Sequence, residues 1–296
     1  MRILVQLQFL ALALLSLSVS ANSKESELKV VTSFTILEDL VRELGGSHVE
    51  IINLVPRDSD AHMYQPVPSD SIAIENADLV IFNGLGFEGW IDRLLDEVRD
   101  ETYYLVASEG VSALRRFGEV DPHAWQSFKN IEIYVNNITN MLIKMMPENK
   151  EELIDRRIAY LHSTRDLERN IAIRIARIPR HNRIVVTSHD AFGYLGHEFQ
   201  IEFLAPLGLS LDAEASAEDV ALVIDQIRDR GVKALFIENI NNPKLLQMIS
   251  EESGVAIGGL LYSDALSDLE GPAATYLDMM RHNLESLIEA FEFEHT

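Results

Sequence analysis

Three histidines and one aspartate lie in loops or at strand ends, where their side chains could bind a ligand. His62 and His123 lie in loops of the first half of the chain, and a proline precedes His123 directly. His189 stands at the end of a predicted strand, and Asp264 follows the last strand predicted in the second half. Three imidazoles and one carboxylate suit a divalent transition metal, above all zinc. The four residues predict a metal site if the fold brings them together.

Each of these histidines also has an ordinary interpretation. A single loop histidine is more often a surface or hydrogen-bonded residue than a metal ligand. The His-Glu-x-x-His pattern of zinc proteases does not occur in the sequence. The other histidines lie on predicted helices, at helix ends or at the terminus, and they are His48, His162, His181, His197, His282 and His295. Spacing along the chain therefore leaves both interpretations open.

Strands and helices alternate along the chain. Buried strands are predicted over residues 28–32, 49–54 and 79–82, and the alternation restarts with strands at 183–188 and 234–237. Such alternation is typical of α/β proteins with parallel sheets. In open sheets of this kind, ligands bind beyond the carboxyl ends of the strands, and between two lobes that place is the cleft. We expect the candidate ligands to line such a cleft.

A long segment without glycine or proline separates the two halves. Residues 148–176 carry apolar positions at helical spacing among many charges, which predicts a rigid helix. The alternative is an ordinary long helix within one domain. The predicted division is a signal peptide at 1–21, an N-terminal lobe at 22–147, a connecting helix at 148–178 and a C-terminal lobe at 179–296. Both lobes are expected to be α/β units of similar construction.

The composition excludes several classes of protein. The 296 residues include 47 acidic and 25 basic side chains, for a formal net charge of -22. Phosphate backbones and anionic lipids repel such a chain, so we expect no nucleic-acid partner. A hydrophobic content of 47% is enough for a packed core. The absence of cysteine removes disulfides, thiolate metal sites and cysteine nucleophiles.

The first residues have the pattern of an export signal. A short basic start precedes an apolar run from Ile3 to Val19, and small residues then offer a cleavage site after Ala21. No second apolar stretch long enough to span a membrane follows. A bacterial lipoprotein carries a cysteine at its cleavage site, and this sequence has none. We therefore expect an exported periplasmic protein without a lipid anchor.

Five motifs occur in order along essentially the whole mature chain. They are DAHMYQP at 60–66, ADLVIFNG at 77–84, DPHAW at 121–125, SHDAFGY at 188–194 and YLDMMRHN at 276–283. In these motifs the chain resembles the cluster A-I (cluster 9) solute-binding proteins, the high-affinity zinc and manganese receptors of bacterial ABC transporters.

The resemblance implies a fold, a ligand set and a partner. It implies two α/β lobes joined by one long helix, with the metal held in the cleft by His62, His123, His189 and Asp264. Asp268 lies in the same loop as Asp264 and is the alternative fourth ligand. The implied cargo is zinc or manganese, and the implied partner is the membrane permease of an ABC transporter. We expect the receptor to be a monomer.

The implied metal depends on two features of the sequence. Members of the family that serve manganese commonly carry glutamate at the third ligand position, so His189 favours zinc. Zinc receptors often hold a long histidine-rich loop before the second ligand, whereas residues 113–120 form a short segment without histidine. Zinc is therefore favoured, and manganese stays open.

Two other functions compete with a metal receptor. A secreted zinc-dependent hydrolase needs an open metal position and a general base beside it, and no local motif supplies one. A receptor for a metal chelate would use aromatic or arginine side chains in place of direct ligands. Four protein ligands complete a tetrahedral zinc, so we expect no enzymatic activity. Glu238, at a strand end, either steers a ligand imidazole or is a structural carboxylate.

Overall fold

The computed structural model describes residues 27–95, 102–116, 118–210 and 215–292. The signal peptide predicted at 1–21 lies outside the described residues. Within the described ranges, no helix combines the length and the apolar character needed to cross a membrane.

The first lobe begins with four strands of a parallel sheet. They are β1 (Leu28–Thr32), β2 (Val49–Asn53), β3 (Leu79–Phe82) and β4 (Tyr103–Val106). They lie in the order β2-β1-β3-β4, and each neighbouring pair is parallel. All four residues of β3 are buried, because helices cover both faces of a central parallel strand. The other elements of this lobe are α1 (Thr35–Gly45), α2 (Pro68–Glu75), α3 (Ile91–Leu95), a short hairpin of β5 (Arg115–Arg116) and β6 (Glu119–Val120), and α4 (Phe128–Met145).

One long helix follows the first lobe. It is α5 (Lys150–Ile175), whose 26 residues extend about 39 Å. A proline-led 3₁₀ turn at Pro147–Asn149 precedes it, so the regular helix begins slightly later than the predicted 148. Its buried residues, among them Leu153, Leu167 and Ile175, recur at helical spacing along one face.

The second lobe repeats the construction of the first. Its strands are β7 (Ile184–Val186), β8 (Glu202–Leu204), β9 (Ala234–Glu238) and β10 (Ile257–Leu261), in the parallel order β10-β9-β7-β8. Its helices are α6 (Gly193–Phe199), α7 (Ala217–Arg230), α8 (Lys244–Ser253) and α9 (Tyr276–Glu292). The predicted fold class, two parallel α/β lobes with one long helix between them, is confirmed. The exact residues at which each lobe ends stay predictions.

The two lobes share one apolar core. The main cluster of buried side chains includes residues of both sheets and of α5, which packs against α1 and α4 from the first lobe and α9 from the second. A smaller cluster lies between the second sheet, α7 and α8. Because a common core fills most of the space between the lobes, only a narrow region is left for a ligand.

Hydrogen bonds tie the loop after β10 to the first lobe. The backbone N–H of Leu266 donates to Thr35 Oγ1 over 2.8 Å. The Arg57 guanidinium donates to the carbonyl oxygens of Ser267 and Ala274, at 2.6 and 3.0 Å. This loop therefore belongs to the second lobe by sequence but is held against the first.

Asp39 adds a buried carboxyl to the contact between the lobes. It lies on α1, and its Oδ2 accepts a hydrogen bond of 2.8 Å from the backbone N–H of Tyr276 at the start of α9. Burial raises the pKa of Asp39 to about 7, although the Tyr276 bond acts in the opposite direction. An unfolded aspartate titrates near about pH 4, so between about pH 4 and 7 the folded state holds more protons than the unfolded state. This group therefore makes stability fall as pH rises through that window.

We predict that Asp39→Asn flattens the pH dependence of stability. The amide oxygen can still accept the Tyr276 N–H, but the titration is gone. The slope of the unfolding free energy should become less negative by up to about 1.4 kcal/mol per pH unit between about pH 5 and 7. Urea unfolding at several pH values, with metal removed by a chelator, measures this slope. The exposed Asp268→Asn serves as the control. A wild-type slope in Asp39→Asn would contradict a protonated Asp39.

Candidate metal centre

The fold brings the four predicted ligands to one point between the lobes. His62 lies in the loop after β2, His123 between the β5–β6 hairpin and α4, His189 after β7 and Asp264 after β10. One ligand atom from each lies within 4.8 Å of the others. His123, His189 and Asp264 are fully buried, and His62 is partly exposed. Loops at the carboxyl ends of parallel strands therefore supply three of the four groups.

The spacing of these atoms has the dimensions of a metal site. His62 Nε2 lies 3.2 Å from His123 Nε2 and 3.6 Å from Asp264 Oδ2. Asp264 Oδ1 lies 3.6 Å from His123 Nε2, and Asp264 Oδ2 lies 3.3 Å from His189 Nε2. Ligand atoms around a tetrahedral zinc, bonded at about 2.0–2.2 Å, are about 3.3–3.6 Å apart. The cluster is therefore preformed for a bare ion.

The Asp264 carboxylate shows which kind of ligand the cluster suits. Both of its oxygens are buried, and neither receives a well-aligned hydrogen bond from the described residues, although His189 Nε2 lies 3.3 Å from Oδ2. A buried carboxylate without donors is costly unless a cation compensates its charge. Three imidazole nitrogens face it, and neutral imidazoles would present lone pairs to the same point. The donor set therefore fits a divalent cation.

Carboxylates lie behind two of the three imidazoles. His123 Nδ1 lies 2.8 Å from Asp121 Oδ1, which also accepts the backbone N–H of His123 at 3.0 Å. His189 Nδ1 lies 2.6 Å from Glu238 Oε2. A carboxylate at Nδ1 holds the proton there and directs the Nε2 lone pair to the metal. Of the two interpretations of Glu238, the one in which it steers an imidazole agrees with this geometry.

The role of Asp121 was not among the predictions. The sequence carries a signal for it, because an aspartate two residues before a histidine can reach both its backbone N–H and its ring. Glu238 is held in place from the strand β9, where its Oε1 accepts the backbone N–H groups of Ser188 and His189 at 2.7 and 3.0 Å.

The charges of the cluster are strongly coupled. Burial raises the pKa of Asp264, but His123 and His189 outweigh it and hold that pKa at about 2. Burial lowers the pKa of His189, but Glu238 and Asp264 outweigh it and raise the pKa well above its ordinary value. The site is therefore built to stabilise positive charge beside an ionised Asp264.

Aromatic rings form a dry wall beside the histidines. The ring centroids of Phe34, Phe87 and Trp125 lie 4.7–5.0 Å apart, and the Phe87 centroid lies 4.6 Å from that of His62. Trp125 Nε1 also donates to the carbonyl oxygen of Ser263 over 2.9 Å, which fixes the strand end before Asp264. The wall excludes water from one side of the cluster and limits the movement of its ligands.

The other candidates lie away from this point. Asp268, the alternative fourth ligand, is exposed and outside the cluster. His48 contacts Glu152 on α5, and His282 contacts the carbonyl oxygen of Leu260. His295 lies outside the described residues.

Comparison with known proteins decides the family. The model of the zinc-uptake complex component A family, described as periplasmic, matches residues 30–290. The chain belongs to this family. The predicted resemblance to zinc and manganese receptors is thereby confirmed, and the family's members are solute-binding proteins.

Individual members are similar over nearly their whole length. The manganese-binding lipoprotein MntA of Halalkalibacterium halodurans is 34% identical over 273 residues, which cover 91% of this chain and 90% of MntA. The manganese ABC transporter substrate-binding lipoprotein PsaA of Streptococcus pneumoniae is 28% identical, with 91% of each chain covered. The solved structure of the periplasmic zinc binding protein TroA from Treponema pallidum superposes with a TM-score of 0.86 at 28% identity, covering 90% of this chain and 99% of TroA.

The family corrects one prediction. We expected a periplasmic protein without a lipid anchor, but MntA, PsaA and other relatives are lipoproteins by name, so that expectation is wrong. That expectation rested on the absence of cysteine from the sequence. Placement outside the cytoplasm agrees with the description of the family.

We predict that Glu238→Gln weakens zinc binding by about 10- to 100-fold. The glutamine oxygen can still accept the backbone N–H groups of Ser188 and His189. Its NH₂ group, however, faces His189 Nδ1 and moves the ring proton to Nε2, which removes the lone pair that faces the cluster. Competition against a calibrated zinc chelator measures the change.

Glu198→Gln is the matched control for this variant. Glu198 is a carboxylate in the same lobe that accepts the Ser127 hydroxyl and contacts none of the cluster imidazoles. The Glu198→Gln variant should keep the wild-type affinity for zinc. Equal losses in both variants would mean that Glu238 acts through general stability and not through His189.

Proposed function

We propose that this protein captures one divalent transition metal ion outside the cytoplasm and delivers it to the permease of an ABC transporter for import. The proposed ligands are His62, His123, His189 and Asp264. The observation that carries the proposal is the buried Asp264 carboxylate, which faces three imidazoles and has no hydrogen bond within the described part of the chain. The import role is supported by the relatives, since PsaA is named as a substrate-binding component of a metal ABC transporter.

Zinc is the metal that the ligands fit best. Three nitrogens and one carboxylate with nearly tetrahedral spacing match the common zinc environment, whereas manganese prefers harder oxygen ligands and more of them. Relatives named for manganese and for zinc share the fold, so manganese is the second candidate. The cargo enters here as a substrate of transport.

Two features argue against an enzyme and against a chelate receptor. Four protein ligands complete a tetrahedral ion and leave no coordination position for a reactive water. The gaps of 3.2–3.6 Å between ligand atoms admit a bare ion but not an organic chelator. We therefore propose a monomeric, non-enzymatic receptor whose ligand is the free ion.

The first test is the metal content of the protein and its dependence on the ligands. We expect one metal ion per chain after isolation without a chelator. Asp264→Asn should lower zinc affinity by more than about 100-fold, because losing a ligand costs more than losing a carboxylate behind one. The control is His162→Ala, a replacement on α5 at an exposed residue that pairs with Asp166. If His162→Ala changes the affinity and Asp264→Asn does not, the ligand assignment fails.

The second test addresses transport and the identity of the metal. Equilibrium affinity follows the general order of divalent metals, so it does not reveal which ion the cell delivers. The metal found in protein isolated from its own cells does reveal which ion is delivered. A strain that lacks the gene should regain growth in medium depleted of that metal when it expresses wild type but not Asp264→Asn. Equal rescue by both would contradict a receptor function for this site.

A further inference from the structure

A cavity lined mainly by the C-terminal lobe, with Leu114, Arg115 and Arg116 of the first lobe on one side, lies outside the metal cluster. Its volume is about 980 Å³, and it lies against the edge strand β8 between α6 and α7. None of the four cluster residues lines it. Cavities that hold small organic ligands in proteins measure roughly 300–1,000 Å³. The space is therefore large enough for an organic molecule, and the metal site does not account for it.

Basic residues are concentrated on the wall of this cavity. Arg115, Arg116, Arg180 and Arg183 all line it, in a chain with only 25 basic residues against 47 acidic ones. A random sample of this protein's charged side chains would be mainly acidic. The cavity thus has a local charge opposite to that of the whole protein.

Two of the three carboxylates on the same wall form ion pairs. Asp190 accepts two hydrogen bonds from Arg116, at 2.7 and 3.0 Å, and Glu202 pairs with Arg230. Asp219 accepts the hydroxyl and backbone N–H of the neutral Ser216, so its negative charge stays on the wall. The three lining arginines outside these pairs therefore outnumber the one carboxylate outside them.

Three other arginines of the wall, Arg115, Arg180 and Arg183, form no ion pair with a carboxylate of the described residues. The Arg183 guanidinium is buried and donates to the carbonyl oxygens of Ile178 and Phe199. Burial and, to a smaller extent, Arg180 lower the pKa of Arg183. An anion on this wall would interact favourably with these guanidinium groups.

Part of the wall is apolar. Phe192 and Phe203 stack with ring centroids 5.1 Å apart, and Val223 and Leu207 lie near them on the lining. Leu222 on α7 also lines the cavity and keeps 56% of its surface exposed. Such a wall can cover the hydrocarbon part of a ligand, which inorganic phosphate lacks.

We propose that this cavity binds an organic anion that combines a carboxylate head with an apolar body. Arg180 and Arg115, both exposed, bind the carboxylate, and Leu222 with the stacked phenylalanines covers the body. A guanidinium binds a carboxylate through parallel hydrogen bonds, which makes arginine the suitable residue for this head group.

The test uses octanoate as the probe with the full mature chain. Isothermal titration calorimetry should show saturable binding of one octanoate per chain. Octan-1-ol, which lacks the charge, and inorganic phosphate, which lacks the apolar body, should bind at least about tenfold more weakly. Wild-type protein should bind octanoate equally well before and after removal of metal by a chelator, so this result does not depend on the metal site.

Two pairs of variants locate the bound anion. Arg180→Gln should weaken octanoate binding about tenfold, because it removes a charge-assisted hydrogen bond. Arg177→Gln makes the same change of charge three residues earlier in the chain, at an exposed residue outside the lining, and it should keep wild-type binding. Leu222→Glu should abolish binding by placing a negative charge in the cavity, whereas Ile173→Glu, an exposed residue on α5, should not.

Several results would overturn the proposal. They are an absence of saturable binding, equal losses in Arg180→Gln and Arg177→Gln, or binding that survives Leu222→Glu. Phosphate binding as tight as that of octanoate would also overturn it, because the apolar wall would then play no part.

Discussion

The Asp264 carboxylate is buried between three imidazoles and receives no well-aligned hydrogen bond from the described residues. Most features of the site depend on that arrangement. A charge held this way needs a cation next to it, and the dense packing around it prevents water from supplying an alternative. Asp121 and Glu238 extend the arrangement outward, since each holds one imidazole in the orientation that faces Asp264. The aromatic wall closes the other side. The cost of the buried charge is therefore what makes the site specific for a cation.

The fold accounts for how such a cluster can be assembled from distant parts of the chain. Parallel sheets direct the carboxyl ends of their strands to one edge, and two sheets that share a core bring those edges together. The loops of His62 and Asp264 are long, but carboxylates hold the backbone at the three histidines: Asp60 accepts the N–H of His62, Asp121 that of His123 and Glu238 that of His189. Little backbone entropy is therefore left to lose there when an ion binds. The helix α5, without glycine or proline, packs against helices of both lobes.

Much of this was predictable from the sequence, and the reasons differ from element to element. β3 and α5 follow from local pattern, a short apolar run in one case and helical spacing without breakers in the other. The three histidines were predictable as candidate ligands because each lies within a family motif, and Asp264 because it follows the last strand of the second lobe. Two features were not predictable, namely the position of Asp121 behind His123 and the charged cavity. Both depend on which side chains meet in space. The choice between Asp264 and Asp268 likewise required burial, which two aspartates in one loop do not reveal.

The loop after β10 belongs to the second lobe by sequence but is attached to the first lobe. The proposed ligands are therefore divided between the two lobes differently from what their order in the chain suggests. Asp264 follows Ser263, whose carbonyl is bound by Trp125 of the first lobe, so Asp264 moves with that lobe. Only His189 is left on the other side, although two hydrogen bonds between Arg116 and the buried Asp190 carboxylate tie its loop to the first lobe. The division is therefore three to one. A displacement of the second lobe relative to the first would withdraw His189 alone, so release of the ion would begin as a dissociative substitution, with one ligand lost before the cleft as a whole opens.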